Sequence, residues 1–361
     1  MIDTELVFDF ASRQLRALTQ SHPDAFPMFT ESGKWKIGGE SWTNWCEGFL
    51  GGQLWLLYEH SGDPFWRSQA ERYSLLLEPR KTDRSVHDLG FLFWSTYKRW
   101  YDLTGDVALK EVVVEAGRTM GYRFKEKGQY LRSFLAEDSL FIDIMMNVGI
   151  VFYSAQQSGD HDLEQKALQH CLTTRKYLVR GDGSTSHEGI FDLATGGFLR
   201  QSTQQGWRGD SSWARGLSWA IYGFGTVYSM TGDVRFLDTA ESCARFYIDR
   251  TPEHGIPPND WDDPAPTYAY ESSAAAIAAS GMLNLAHLCK DWGRARVYRE
   301  YALVILETLT NPDFLAYQTP GWEGLLKHGM YHQNKKLGVD ESVMWGDYFF
   351  LEAISKVAHG K

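Results

Sequence analysis

The stretch SLFIDIMMN, residues 139–147, places one aspartate among Phe141, Ile142, Ile144, Met145 and Met146. A carboxylate in such a setting is either partnered or kept protonated by loss of solvent. A carboxyl with a raised pKa is what general acid catalysis requires. Spacing predicts Asp143 about a turn inside a helix, where capping does not account for it. A second acid, Asp88, follows His87 in SVHDLGF. Here a plain structural reading competes with a chemical one, because Ser85 is expected to cap a helix and Asp88 to complete its capping box.

The segment RQSTQQGWRGDSSWARGLSWAIYGF, residues 200–224, concentrates Gln, Arg and Trp beyond what a core needs. Arg215 and Trp219 are four apart and share a helix face. They read either as a stacked structural pair, or as an Arg fork for a carboxylate beside an aromatic floor for a sugar ring. His187 lies in the turn-rich GSTSHEGIF and, taken alone, reads as a solvated loop histidine. The histidines are dispersed and no HExxH or similar metal-ligand spacing occurs, so no metal is expected.

These residues need a scaffold, and a repeated punctuation mark supplies it. EHSGDPF, DLTGDVA, QQSGDHD and SMTGDVR recur along the chain, with a degraded copy in KDWGRAR. Each glycine (Gly62, Gly105, Gly159, Gly232 and Gly293) is expected to end one helix as a left-handed C′ residue, and the following Asp to cap the next. Such punctuation marks an array of helical hairpins. It predicts twelve helices near 3–19, 47–60, 63–77, 87–103, 107–122, 139–157, 161–176, 211–230, 234–249, 271–290, 293–309 and 341–357. Strand signals are confined mainly to 183–200 and 317–332. Six hairpins, the first and last helices pairing to close the ring, predict an all-α (α/α)6 barrel; an open superhelix is the alternative. Long connections at 177–210 and 310–340 gather at one end, where a site is expected. The N-terminal ends of the inner helices are SWTNWCEGF, SVHDLGF, AEDSLFIDIMMN, GDSSWARGLSW, YESSAAA and GVDESVMWGDYF. Asp138, Asp210 and Glu271 among them read as caps. With no low-complexity linker, residues 1–361 are expected to form one domain.

Composition narrows the function further. A net charge of −10 argues against nucleic acid or an anionic membrane as the main partner. No uninterrupted apolar run of about 18 residues suggests a membrane span. The N-terminus MIDTELVFDF lacks a signal-peptide pattern, and Cys46, Cys171, Cys243 and Cys289 are scattered. A cytoplasmic protein with reduced thiols is expected. Fourteen tryptophans hint at sugar stacking, though packing accounts for most.

HDLGF, FIDIMMN, STSHEGIFDLATG, TQQGWRGDSSWARGLSWAIYGF and HGMYH…GVDESVMWGDYFFLEA together resemble the unsaturated glucuronyl hydrolases of glycoside hydrolase family 88. The motifs run in the family's order from about residue 40 to 353. The resemblance implies an (α/α)6 barrel that hydrates the vinyl ether of a 4,5-unsaturated uronic acid at the non-reducing end of lyase-generated oligosaccharides. A proton is added at C4, water at C5, and the hemiketal opens to release the aglycone, with no cofactor, metal or covalent intermediate. It implies Asp143 as general acid/base and Asp88 as a second essential carboxylate supported by His87. His187, Gln205, Arg215 and Trp219 would hold the unsaturated sugar, with Trp42 and Tyr331 as pocket walls. Two departures, Leu50 in GFLGGQLW and Glu271 where an Asp is usual, are expected to bear on the aglycone side. Lys335 and Lys336 are candidates for sulfate tolerance, while the preferred aglycone and the oligomeric state are not readable. The sibling unsaturated rhamnogalacturonyl hydrolases, an inverting glycosidase on the same barrel, a non-catalytic sugar-binding barrel and a metal-dependent isomerase are the alternatives.

Overall fold

The computed structural model describes residues 2–38 and 44–360, so Trp42 lies outside the described residues. Among these, helices form α1 Thr4–Ser21, α2 Gly48–Ser61, α3 Pro64–Leu77, α4, α5 Val107–Gly121 and α6 Ile144–Ser158. They continue as α7 His161–Leu178, α8 Ala214–Thr231, α9 Val234–Arg250, α10 Ser272–Leu288, α11 Trp292–Leu309 and α12 Met344–Ala358. Helix α4 is one rod in three pieces, Leu89–Phe93 and Arg99–Thr104 joined by a π turn over Trp94–Lys98.

Burial separates two rings. In α2 every residue from Gly48 to Leu57 is buried, and in α10 every residue from Ser272 to Leu283. Helices apolar on all sides belong inside. Helix α9 buries one stripe, including Phe236, Ala240, Ala244 and Tyr247, as an outer helix should. The inner helices α2, α4, α6, α8, α10 and α12 each pack on the next, and α12 returns to α2. Helix α1 packs on α12 and α2, completing the outer ring. This closure is an (α/α)6 barrel and excludes the open superhelix.

Four of the five glycine marks act as expected. Gly62, Gly105, Gly159 and Gly232 adopt φ of +67°, +70°, +65° and +70°. The Asp after each accepts a backbone N–H of the next helix, from Phe65, Ala108, Leu163 and Arg235. The fifth differs, because Gly293 lies within α11 and Asp291 caps that helix through the N–H of Arg294. Close approach demands glycine inside the barrel too: a Cβ at Gly90 would stand 2.6 Å from the Cα of Asn147.

Three inner helices begin later than expected, for a common reason. Residues just ahead of them pair as strands, and a strand hydrogen bonded to a neighbour cannot also wind into a helix. β1 Ser139–Phe141 pairs antiparallel with β2 Glu188–Phe191, which pairs with β3 Phe198–Ser202. β4 Gly329–His332 pairs with β5 Leu337–Glu341 just before α12. Before α8, Trp213 makes an isolated bridge to Asp260. Asp138 and Asp210 therefore do not cap; residues Asp143 and Trp213 occupy those positions. Among the described residues, no helix is long and apolar enough to cross a membrane.

Candidate active site

The inner helices present their N-terminal ends to one cavity of about 270 Å³. Of the residues singled out from the sequence, His87, Asp88, Asp143, Gln205, Arg215, Trp219 and Tyr331 line it. Leu50 and Glu271 do not line it. Lys335 lines the cavity and Lys336 does not.

Asp88 is the residue before α4, yet the expected capping box is absent. Ser85 bonds through its N–H and hydroxyl to Asp83, and Asp88 makes no side-chain cap bond. Its carboxylate instead meets His87, with Oδ1 3.2 Å from Nε2. His87 Nδ1 accepts the Phe134 N–H at 2.9 Å, which leaves the ring proton on Nε2, facing Asp88.

Asp143 is the residue immediately before α6, not a turn inside it, and its side chain caps nothing. Oδ1 is buried without a hydrogen-bond partner, and the remaining exposure of the side chain is into the cavity it lines. Burial pushes its pKa up to about 7; the Arg215 charge opposes that shift and the Asp88 charge adds to it. Asp143 thus exchanges a proton near neutral pH and shares the cavity with a second carboxylate, the arrangement for delivering a proton into the cavity.

Arg215, in the first turn of α8, is not a free fork. It donates to the carbonyl of Met330, to the carbonyl of Tyr331 at 3.0 Å, and to Gln205 Oε1. Its guanidinium lies over Trp213 at 4.4 Å and Trp345 at 5.1 Å, so the stacked pair read from the sequence exists with these tryptophans instead of Trp219. Glu271 caps α10 through the N–H groups of Ser273 and Ala274 and also accepts the Met330 N–H. Between them, Arg215 and Glu271 clamp β4 and so set the Tyr331 wall. Trp219 forms a floor packed on Phe91 and Phe349, at 5.1 and 5.4 Å between centroids.

His187 is buried, not solvated, with its ring between Phe141 and Trp213 at 4.7 and 4.5 Å. It stands behind the cavity wall. Its Nδ1 accepts the Gln204 N–H at 3.1 Å, and its Nε2 is buried without a protein partner. Burial, with Arg215 nearby, pushes its pKa well down. Trp45, Phe134, Leu135, Phe141 and Gln204 also line the cavity and were not singled out. Gln204 and Trp45 sit inside quoted motifs; Phe134 and Leu135 come from a loop with no signal of its own. No group of three or more His, Cys, Asp or Glu among the described residues is placed to hold a metal ion.

A closed helical barrel with two facing acids and an aromatic-floored, sugar-sized cavity at one end is the architecture of a glycoside hydrolase. No protein-family model matches the chain. Relatives do: it is 31% identical to the unsaturated glucuronyl hydrolase of Formosa agariphila over 87% of this chain and 80% of that one. It is also 31% identical to the unsaturated chondroitin disaccharide hydrolase of Streptococcus pneumoniae, over 86% and 81%. The crystal structure of unsaturated glucuronyl hydrolase from Bacillus sp. GL1 superposes with a TM-score of 0.92 at 28% identity, covering 99% of this chain and 97% of that one. The chain belongs to the unsaturated glucuronyl hydrolase family.

Proposed function

We propose that the enzyme hydrates the C4=C5 vinyl ether of an unsaturated uronic acid at the non-reducing end of glycosaminoglycan-type oligosaccharides, with Asp143 as general acid and base. Asp143 gives its proton to C4 as the π electrons form the C4–H bond. The positive charge left at C5 is shared with the ring oxygen. Water adds at C5 and returns its proton to the Asp143 carboxylate. The resulting hemiketal opens by breaking the bond from C5 to the ring oxygen, and the hemiacetal freed at C1 releases the aglycone sugar.

Asp88, oriented by His87, holds substrate hydroxyls and raises the Asp143 pKa by its charge. Arg215 holds Gln205 in place and keeps positive charge near the substrate carboxylate. Trp219 is the floor beneath the sugar ring and Tyr331 a wall. His187, behind the wall, acts on the sugar site indirectly, its Nδ1 accepting the N–H groups of Gln204 and Gln205 and so holding that turn in place. Trp42 is assigned a wall position on sequence alone. The single observation that carries this reading is the Asp143 carboxyl, lining the cavity, uninvolved in capping and pushed by burial to a pKa of about 7.

We read the chain as one catalytic domain acting in the cytoplasm on imported fragments. Its four free, buried cysteines and its net charge of −10 support that reading and disfavour nucleic acid or a membrane as partner.

The test is the ultraviolet absorbance of the conjugated double bond, followed on unsaturated chondroitin, hyaluronan and heparin disaccharides beside saturated glucuronides. Absorbance should fall only with the unsaturated substrates. Asp143→Asn should lose about 10²–10⁴ in rate, the usual worth of general acid–base work. A mutant retaining more than about a tenth of wild-type activity, or turnover of saturated glucuronides alone, overturns the reading.

A further inference from the structure

Both acids stand at the starts of inner helices, and neither caps its helix. The free N–H groups of those first turns must then be satisfied elsewhere. For α4 the partner comes from the neighbouring helix. The Phe91 N–H donates 2.8 Å to Oδ1 of Asn147, which is fully buried on α6. The other end of the same amide, Nδ2, donates 3.2 Å to the backbone carbonyl of Asp143. One side chain therefore joins the turn that begins at Asp88 to the turn that begins at Asp143. At the same height, Gly90 lets the Asn147 backbone come so close that an added Cβ would stand 2.6 Å from its Cα.

We propose that Asn147 is a positioning residue that sets the spacing of the two carboxylates, acting as a cap supplied by one acid-bearing helix to the other. An amide suits this place because its two ends are of opposite kind, an acceptor toward an N–H and a donor toward a C=O. A carboxylate there would set oxygen against the Asp143 carbonyl, and an aliphatic side chain would strand the Phe91 N–H. The inference rests on the assignment of Asp143 as acid and Asp88 as its partner. The charged and titratable groups around Asp143 are Asp88 and His87 just before α4, Arg215 on α8, His187 just before β2, Tyr331 on β4 and Lys335 after it.

The experiment measures kcat and KM across pH for Asn147→Ser, Asn147→Asp and Asp143→Asn with an unsaturated disaccharide, each checked for folding by near-ultraviolet circular dichroism. Asn147→Ser is expected to lower kcat at least tenfold with KM changed less than threefold. Asn147→Asp is expected to do the same wherever its carboxyl is ionised, and to keep more activity at low pH, where the protonated carboxyl offers the same acceptor and donor ends as the amide. Folded Asn147→Ser that keeps more than half of wild-type kcat, or loses activity through KM alone, overturns the proposal. A folded Asn147→Asp with wild-type kcat across the whole pH range does the same. If Asn147→Asp does not fold, Asn147→Ser decides. Asp143→Asn separates the two levels: activity surviving in it removes the acid assignment, whereas a dead Asp143→Asn beside a fully active Asn147→Ser removes only the role of Asn147.

Discussion

Asp143 has two consequences that pull in opposite directions. Holding a proton near pH 7 serves the reaction, so kcat should fall as pH rises through about 7, the acid form being lost. The same burial costs stability. A carboxyl whose folded pKa is raised contributes fully below its unfolded value, and that contribution drains away as pH rises toward the folded value. The window here runs from about 4, the ordinary value for Asp, up to about 7. Asp143→Asn, which cannot ionise, should therefore be more stable than wild type at pH 8 by about 2–4 kcal/mol, with no advantage near pH 4. Thermal melts of both proteins at the two pH values check this, and an equal melting temperature at pH 8 argues against the burial of a proton at this site. Arg215 shows the complementary case. Its type and spacing allowed a stacked structural pair or a carboxylate fork, and three of its donors serve Met330, Tyr331 and Gln205. Hydrogen-bond partners more than a hundred residues away leave no trace in local spacing.

At the scale of elements, most boundaries were legible because they are written in local chemistry. A left-handed glycine followed by a capping Asp needs no tertiary partner, and four such junctions form as read. Replacing one cap, Asp233→Ala, should cost about 1 kcal/mol and leave kcat and KM unchanged, since this junction lies at the end of the barrel away from the cavity. Denaturant titration beside steady-state kinetics is the check; a change in KM would mean that the two ends communicate. Boundaries at the cavity end were less legible. β1 was missed because Ser139, Leu140 and Phe141 run into an apolar helix without a break, and only pairing with Glu188–Ile190 makes them a strand. The capping box at Ser85–Asp88 failed similarly: Asp83 competes for Ser85, which frees Asp88 for the cavity.

For the whole molecule, the barrel carries its cavity at one end and a polar network toward the other. In that network buried Glu352 accepts from Ser280, Tyr222, Tyr348 and Lys356, with Arg99 3.8 Å away. Residues from α4, α8, α10 and α12 meet there, so one carboxylate ties four inner helices. Glu352→Gln removes the carboxylate that Lys356 pairs with at a half-buried site, Arg99 keeping Glu59, and should destabilise the fold by about 2 kcal/mol. KM should stay unchanged, because no part of this network lines the cavity. A melting curve and a Michaelis plot suffice, and loss of substrate affinity without loss of stability would contradict the division into a structural end and a working end.

What the sequence determined alone is the set of local decisions. These are the helix count, the glycine and aspartate junctions, the apolar inner helices, and the presence of an acid where packing has no use for one. Each follows from residues within a turn or two of one another. Only the tertiary structure decided that Asp88 serves the cavity instead of its helix, and that His187 is buried behind the wall. It alone placed Trp45, Phe134 and Gln204 on that wall and set Asn147 between the two acids. All of these turn on which groups from distant segments compete for the same hydrogen bonds once the ring has closed, and closing the ring is what brings them within reach.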